Sequence, residues 1–153
     1  MKKLKILITL MLLALISSTA YNQECRDFLN SKAFKQTIPK DFKDYGQSKS
    51  ISVEVNKTNN FEVVFNGNEE YILNIGTEAG FGPVHFRILS SDNKMVLFDN
   101  EKKNYNGSAN FYMQKTQPVS VEVTVMNTKG KHSNSKVKNV CLGIKINNRH
   151  YTE

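Results

Sequence analysis

The sequence predicts a mainly β protein, an antiparallel, jelly-roll-like β-sandwich of about eight strands with a short N-terminal helix packed on its outside. Three observations predict this fold. From about residue 50 onward, apolar and polar residues alternate with a period of two, as in strands with one solvent-facing side. Turn residues separate these segments every eight to twelve positions, which is typical of a sandwich or barrel. One cysteine, Cys25, precedes this alternating region, and the other, Cys141, lies in its last segment.

The first 20 residues, MKKLKILITLMLLALISSTA, have the character of a secretory signal peptide. Three lysines precede an apolar run from Ile6 to Ile16, and the small residues Ser18 and Ala20 precede the expected cleavage point. A helix that spans a membrane needs roughly 20 apolar residues, more than this run supplies. We therefore expect an exported protein, periplasmic or extracellular, with no stable membrane span after signal cleavage.

The length and composition of the remaining chain limit the number of domains and argue against one class of partner. Removal of the signal leaves 133 residues, enough for one compact domain and too few for two with separate cores. Three of the 21 basic residues leave with the signal, so the mature chain carries a net charge of +4. Lysine outnumbers arginine 18 to three, whereas nucleic-acid surfaces favour arginine for bidentate contacts. The composition argues against nucleic-acid binding.

Residues 21–49 are predicted to form the helix and a linker. In QECRDFLNSKAFK, four apolar residues share one helical stripe at i, i+3, i+4 and i+8, namely Cys25, Phe28, Leu29 and Ala33. Pro39 limits how far this helix extends. The polar DYGQSKS follows it as the linker.

The sandwich is expected over residues 50–148, followed by a tail at 149–153. Alternation is strictest in VSVEVTVM, where valines occupy every second position. Asn66-Gly67 marks a turn between two strands. The other predicted strands contain SISVEV, FEVVF, YILNI, PVHFRIL, MVLF, NFYM and VKNVCLGIKIN.

In the last strand, Cys141 lies on the face opposite four aliphatic residues, Val140, Leu142, Ile144 and Ile146. If those residues face the core, Cys141 faces outward, where the helix would have to lie, and Gly143 on the same face leaves room for it. An isolated pair of cysteines in an oxidising compartment usually bonds. We predict a disulfide between Cys25 and Cys141, with two buried unpaired thiols as the alternative.

No motif in the sequence indicates catalysis. It contains no CxxC, HExxH, GxSxG or P-loop, and we expect no catalytic site, no cofactor-binding site, no cofactor and no metal site. The alternative is a small hydrolase whose site combines scattered residues, His85 with Asp92 or Asp99. His132 and His150 lie in a predicted loop and in the tail.

A weak calcium site is the one metal hypothesis that the residues raise. Four oxygen-bearing residues flank MVLF and would surround Ca²⁺ if the two turns meet, namely Asp92, Asn93, Asp99 and Asn100. Asx residues at turns mostly bond their own backbone, however.

Two loops and three tyrosines are weaker candidates. Turn geometry accounts for GTEAGFGP, with glycines at 76, 80 and 82. The basic segment with Lys129, Lys131, Lys136 and Lys138 is expected to be a solvated loop, with contact to an anionic surface as the alternative. The weak candidates for a sugar-binding platform, in a chain without Trp, are Tyr71, Tyr105 and Tyr112; ordinary packing is the alternative.

Three segments carry a resemblance, FEVVFNGNEEYILNIGTEAGFGPVHFRILSSDNKMVLFDNEK, NFYMQKTQPVSVEVTV and VCLGIKI. Their order resembles that of a group of small exported bacterial proteins of unknown function, in which a Cys-containing helix precedes a β-sandwich that ends in a Cys-x-Gly strand. More distantly, it is similar to the pre-peptidase C-terminal domain, an accessory sandwich beside secreted hydrolases. Unlike that domain, this chain is expected to stand alone, without a catalytic partner in the chain. The resemblance implies a fold and an export route, and no catalytic residue.

These observations predict an exported, non-catalytic binding or accessory module of the cell envelope or secreted space. The expected partner is an unknown protein or glycan. The small hydrolase and a purely structural or inhibitor-like protein are the alternatives.

Overall fold

The computed structural model describes residues 25–34, 36–78, 81–92, 94–127 and 139–151. The predicted signal peptide at residues 1–20 lies outside the described residues. So do Gly80, Asn93 and the basic segment with His132, Lys129, Lys131, Lys136 and Lys138.

The alternating segments of the sequence form strands, and the described residues contain nine. Eight correspond to the predicted strands, and a two-residue strand precedes them within the predicted linker. In chain order they are β1 (Lys43–Asp44), β2 (Lys49–Glu54), β3 (Thr58–Phe65), β4 (Glu69–Thr77), β5 (Val84–Ser90), β6 (Val96–Asp99), β7 (Ser108–Met113), β8 (Gln117–Val125) and β9 (Asn139–His150).

The strands form two antiparallel sheets. In sheet A the order is β2-β9-β4-β7, with β1 also paired to β9, and in sheet B it is β3-β8-β5-β6. From β2 onward the chain alternates between the two sheets at each strand, except that β5 and β6 both lie in sheet B. This order is that of a jelly roll, in which two Greek keys form a double sheet. The predicted fold class is confirmed.

The core lies between the two sheets and follows the period of two. In β8 the four valines, Val119, Val121, Val123 and Val125, are each at most 1% exposed. The even-numbered residues of β9, from Val140 to Ile146, lie opposite them in the same core cluster. Cys141 and Gly143 therefore point to the outside of sheet A, as the alternation predicted.

The predicted N-terminal α-helix is wrong. Residues Phe28–Asn30 and Lys32–Phe34 form two short 3-10 turns instead. Ser31 between them is extended, and its hydroxyl donates a hydrogen bond of 2.6 Å to the carbonyl of Phe28. Serine competes for backbone hydrogen bonds in this way and interrupts helices. A third 3-10 turn, Asn100–Lys103, joins β6 to β7.

The prediction that Gly76 belongs to a glycine-rich turn is also wrong. This residue lies inside β4, directly opposite Gly143 of β9. The ring of Phe34 lies so close to Gly76 that little room remains for a side chain. This contact, rather than a turn conformation, explains the glycine.

Within the described residues, no helix is long and apolar enough to cross a membrane.

Candidate functional site

The N-terminal segment covers the outer face of sheet A. Cys25 and Cys141 form a disulfide with a Cα–Cα distance of 5.3 Å and a sequence separation of 116 residues. Phe28 and Phe34 pack beside it in a second, smaller apolar cluster. The ring of Phe34 lies over the Gly76–Gly143 pair, so close that a Cβ on Gly143 would be 2.8 Å from Cε2 of that ring. This face of the sandwich is therefore already occupied.

The opposite situation exists at one side of the sandwich, between β6 and β7. Each of these strands is the last in its sheet. Between them opens a groove of about 590 Å³, within the range of small-ligand and peptide sites. Its apolar lining comes from Phe65, Ile88, Leu97, Phe98, Phe111 and Met113.

Leu97, which lines this groove, and its chain neighbours Met95 and Val96 are exposed apolar residues. Val96 is 47% exposed and Leu97 43%, and Met95 just before β6 is 56% exposed. The polar part of the lining comes from Asn110, Gln114, Lys115 and Gln117. The floor is firm, because Phe98 stacks on the buried Phe86 with ring centroids 5.4 Å apart. We call this feature, bounded by β6 and β7, the edge groove.

The three candidate tyrosines do not form a common platform. Tyr71 is 1% exposed in the core, where its hydroxyl accepts a hydrogen bond of 2.8 Å from the Asn66 amide and burial raises its pKa. A ring so buried cannot stack on a sugar, so its candidacy was wrong. Tyr105 contacts His85 edge to face. Tyr112, at the edge groove, is 40% exposed and packs against Tyr151.

The structure brings His85 and Asp99 together, as the hydrolase hypothesis requires. His85 Nε2 lies 3.0 Å from Asp99 Oδ1. A small cavity of about 50 Å³ beside His85 is also lined by Thr58 and Thr124, but these hydroxyls are 2.8 Å apart and bond each other. His85 and Asp99 thus supply a base and the carboxylate that orients it. Nucleophilic catalysis also requires a hydroxyl bonded to the imidazole, and neither Thr58 nor Thr124 makes that bond.

Asp99 is also the capping residue of the 3-10 turn Asn100–Lys103. Its Oδ1 accepts a hydrogen bond of 2.9 Å from the Glu101 amide. Burial raises the pKa of Asp99, but the hydrogen bonds from Glu101 and His85 outweigh it and leave the pKa below its usual value. The carboxylate is therefore ionised at neutral pH. Tyr105 donates a hydrogen bond of 3.2 Å to Glu101 Oε1, so a second carboxylate is oriented here too.

Asn100 fixes this turn to sheet B. It is fully buried, its Oδ1 accepts from the Phe86 amide at 2.8 Å, and its Nδ2 donates to the Val84 and Asn106 carbonyls at 2.8 and 3.2 Å. These bonds leave its oxygen committed to the backbone. Asp92 lies in the turn before β6, and Asp99 is the last residue of that strand. One of the four candidate calcium ligands is thus already in use, Asn93 lies outside the described residues, and the calcium site stays a prediction.

A polar cavity of about 640 Å³ lies at the end of β9. Arg149 crosses it, pairing with Asp41 and, at 2.5 Å, with Glu70, while its guanidinium lies 4.8 Å from the centre of the Phe42 ring. The hydrogen bond from Arg149 lowers the pKa of Asp41. These charges fasten the residues before β1 to sheet A.

Sequence reasoning missed the edge groove and Glu101. MVLF gave one signal for the groove, because a continuous apolar run in a strand with one wet face must expose part of itself. Glu101 gave none, since its place beside His85 depends on how β5, β6 and the turn meet.

Comparisons with known proteins give a fold likeness only. The chain matches no protein-family model and no curated protein. It is similar to the crystal structure of Aeromonas hydrophila PliG, a periplasmic lysozyme inhibitor of g-type lysozyme, with 11% identity over 74% of this chain and 93% of that one, and a TM-score of 0.48. At this level the likeness carries no argument about what the present chain binds.

Proposed function

We propose that the protein is an exported, non-catalytic module that binds an extended segment of a partner protein in the edge groove. The observation that carries this proposal is the pairing of an apolar groove with two strands that each end a sheet. The signal-like N-terminus and the disulfide support export, because disulfides persist in oxidising compartments.

The edge strands favour a polypeptide as the occupant. A strand at the end of a sheet presents unpaired backbone N–H and C=O groups, which an extended segment can satisfy by strand addition. Alternate side chains of that segment would then enter the groove, where Leu97, Phe98 and Phe111 offer apolar contact. Main-chain pairing supplies affinity in such complexes, and the pockets supply specificity.

A glycan is the less favoured occupant. Sugars require flat, accessible aromatic rings with polar groups around them, and of the three candidate tyrosines only Tyr112 is more than one-third exposed. The groove lining is instead largely aliphatic and phenyl, which suits the side chains of a peptide.

The test uses a library of random 12-residue peptides displayed on phage and selected on the oxidised, signal-free protein. The best peptide is then titrated against wild type, Leu97→Lys and Val64→Lys. Val64 is the matched control, because it is an exposed strand residue of similar exposure (45%) that lies outside the groove. We expect Leu97→Lys to weaken binding about tenfold or more and Val64→Lys to leave it unchanged.

Hydrogen exchange locates the peptide. Binding is expected to slow exchange of amides in β6 or β7. The proposal is overturned if no peptide is selected, if Leu97→Lys binds as well as wild type, or if protection appears elsewhere. It is also overturned if a glycan array gives ligands whose binding survives Leu97→Lys, or if light scattering shows a dimer that Leu97→Lys dissociates, since the groove would then serve self-association.

A further inference from the structure

Three side chains on the outward face of sheet B bring metal-ligating atoms together. They are His85 of β5, Asp99 at the end of β6 and Glu101 in the turn that follows. One ligand atom from each, the imidazole nitrogen and two carboxylate oxygens, all lie within 4.8 Å of one another. The His85 and Asp99 side chains are 27% and 16% exposed, so an ion from solvent can reach them.

The spacing fits a single small ion. Two donors bound to one tetrahedral zinc, each at about 2.0–2.1 Å, lie roughly 3.3 Å apart. His85 Nε2 and Asp99 Oδ1 are already 3.0 Å apart. The Glu101 backbone N–H donates a hydrogen bond to Asp99 Oδ1 and holds the backbone of Glu101 in place. We therefore expect rotation of the Glu101 side chain to bring its carboxylate to the ion.

Neighbouring groups orient the donors. Tyr105 bonds Glu101 and packs its ring against the imidazole of His85, 5.9 Å between centroids. The buried Asn100, between Asp99 and Glu101, ties the turn to β5 through Phe86 and Val84. Such supporting contacts are what set ligand orientation in metal sites.

We propose that His85, Asp99 and Glu101 bind one Zn²⁺ ion, with water in the open coordination position. The donor set decides the metal. Imidazole nitrogen with carboxylate oxygen suits zinc, whereas Ca²⁺ and Mg²⁺ prefer sites made of oxygen alone. On binding, the ion replaces the hydrogen bond between His85 and Asp99, and it screens the two carboxylates from each other. This inference is independent of the edge groove and goes beyond the proposed function.

The test is calorimetric titration of the oxidised, signal-free protein with ZnCl₂ in a non-chelating buffer at neutral pH. Four variants are compared, His85→Gln, Glu101→Gln, His150→Gln and His132→Gln. His150 is the matched control, because its Nδ1 also lies near a carboxylate, 3.4 Å from Glu69 Oε1. We expect one equivalent in wild type, a loss of affinity of about tenfold or more in the first two variants, and no change in the last two.

A second measurement identifies the ligands directly. Zinc should shift the imidazole NMR resonances of His85 and leave those of His150 in place, and excess CaCl₂ should not reverse the shift. The thermal midpoint of each variant without zinc verifies that it folds. The proposal is overturned if His85→Gln binds zinc as tightly as wild type, if binding follows His132 or His150, if Ca²⁺ displaces the ion, or if zinc binds only at millimolar concentration.

Discussion

The two outer faces of the sandwich meet solvent in different ways. On sheet A, three neighbouring outward residues of β4 and β9 are small or apolar, namely Gly76, Cys141 and Gly143, and the N-terminal segment lies on them. On sheet B, outward residues of β3, β8 and β5 form two polar rows across the strands, in which Thr58 bonds Thr124 and Arg87 pairs with Glu122. One row consists of Thr58, Thr124 and His85, and the next of Asn60, Glu122 and Arg87.

The difference shows that the residue types at outward strand positions indicate what covers each face of the sandwich. Facing glycines at outward positions, as at Gly76 and Gly143, indicate that another segment lies over them, because glycine is poorly suited to a strand interior unless something approaches closely. An outward row of polar residues indicates that the face is exposed to solvent. Charged groups in such a row are accessible to a ligand. The four predictions that follow test this contrast.

Removing the disulfide should have the largest effect. In Cys25→Ala/Cys141→Ala, the closed loop of 116 residues is lost, and the chain-entropy model gives a destabilisation of about 5 kcal/mol, at the upper end for such bonds. Urea unfolding of the variant and of wild type measures it, with reduced wild type as the control for the two side-chain changes. A loss below about 1 kcal/mol in both would show that the cover on sheet A does not depend on the bond.

Filling the space under Phe34 should have the next largest effect. Gly143→Ala places a Cβ 2.8 Å from the buried ring, and we expect a loss of about 1–2 kcal/mol from overpacking. Gly76→Ala is the matched control across the same strand pair, with its Cβ at 3.2 Å from the ring. Both variants gain equally from losing a glycine, so thermal unfolding should rank Gly143→Ala below Gly76→Ala. Equal midpoints would mean that the N-terminal segment does not press on this face.

On sheet B, breaking an ion pair should matter much less. Arg87 and Glu122 pair across adjacent strands with side chains 40% and 24% exposed. We expect Glu122→Gln to cost about 0.5 kcal/mol, because solvent and salt screen such pairs. A double-mutant cycle with Arg87→Gln isolates the pairwise energy, and 1 M NaCl should reduce it further. A coupling of about 2 kcal/mol or more would show that this face is not solvated as its polar rows indicate.

The smallest effect at neutral pH is expected for Asp99→Asn, because asparagine keeps the oxygen that accepts from the Glu101 amide. Folding lowers the pKa of Asp99, so the native state binds fewer protons than the unfolded one. Its stabilisation is therefore complete above the ordinary carboxyl pKa of about 3.9 and is lost as pH falls through the lowered native value. Unfolding at a series of pH values should show wild type losing stability more steeply than Asp99→Asn below about pH 4. Parallel curves would contradict the assignment.

The success of sequence reasoning varied with the range of the interaction. Strict alternation at Val119 to Val125 fixed both the strand and its core face, because burial of one face enforces a period of two. The same argument at Cys141 found the outward cysteine and the need for a covering segment. It failed for the conformation of that segment, because the stripe from Cys25 to Ala33 fits a helix in spacing while Ser31 interrupts its backbone.

The candidate site was less accessible. His85 and Asp99 were paired in the hydrolase hypothesis, but Glu101, Tyr105 and the groove beside Leu97 were not associated with either. Tyr71 was offered as a surface platform although it belongs to the core, because tyrosine in a strand is equally compatible with both faces. The two-residue alternation of a strand separates its residues into two faces. It does not tell which part of the protein packs against each face.

The sequence by itself determined the strands, their buried faces, the class of fold and the one available pair of cysteines, because these depend on local periodicity and composition. Only the tertiary structure decided which strands end the two sheets, where the edge groove opens and which donors surround His85. Those features arise where residues far apart in the chain meet, and the order of strands in a jelly roll sets those meetings through packing that no local pattern encodes.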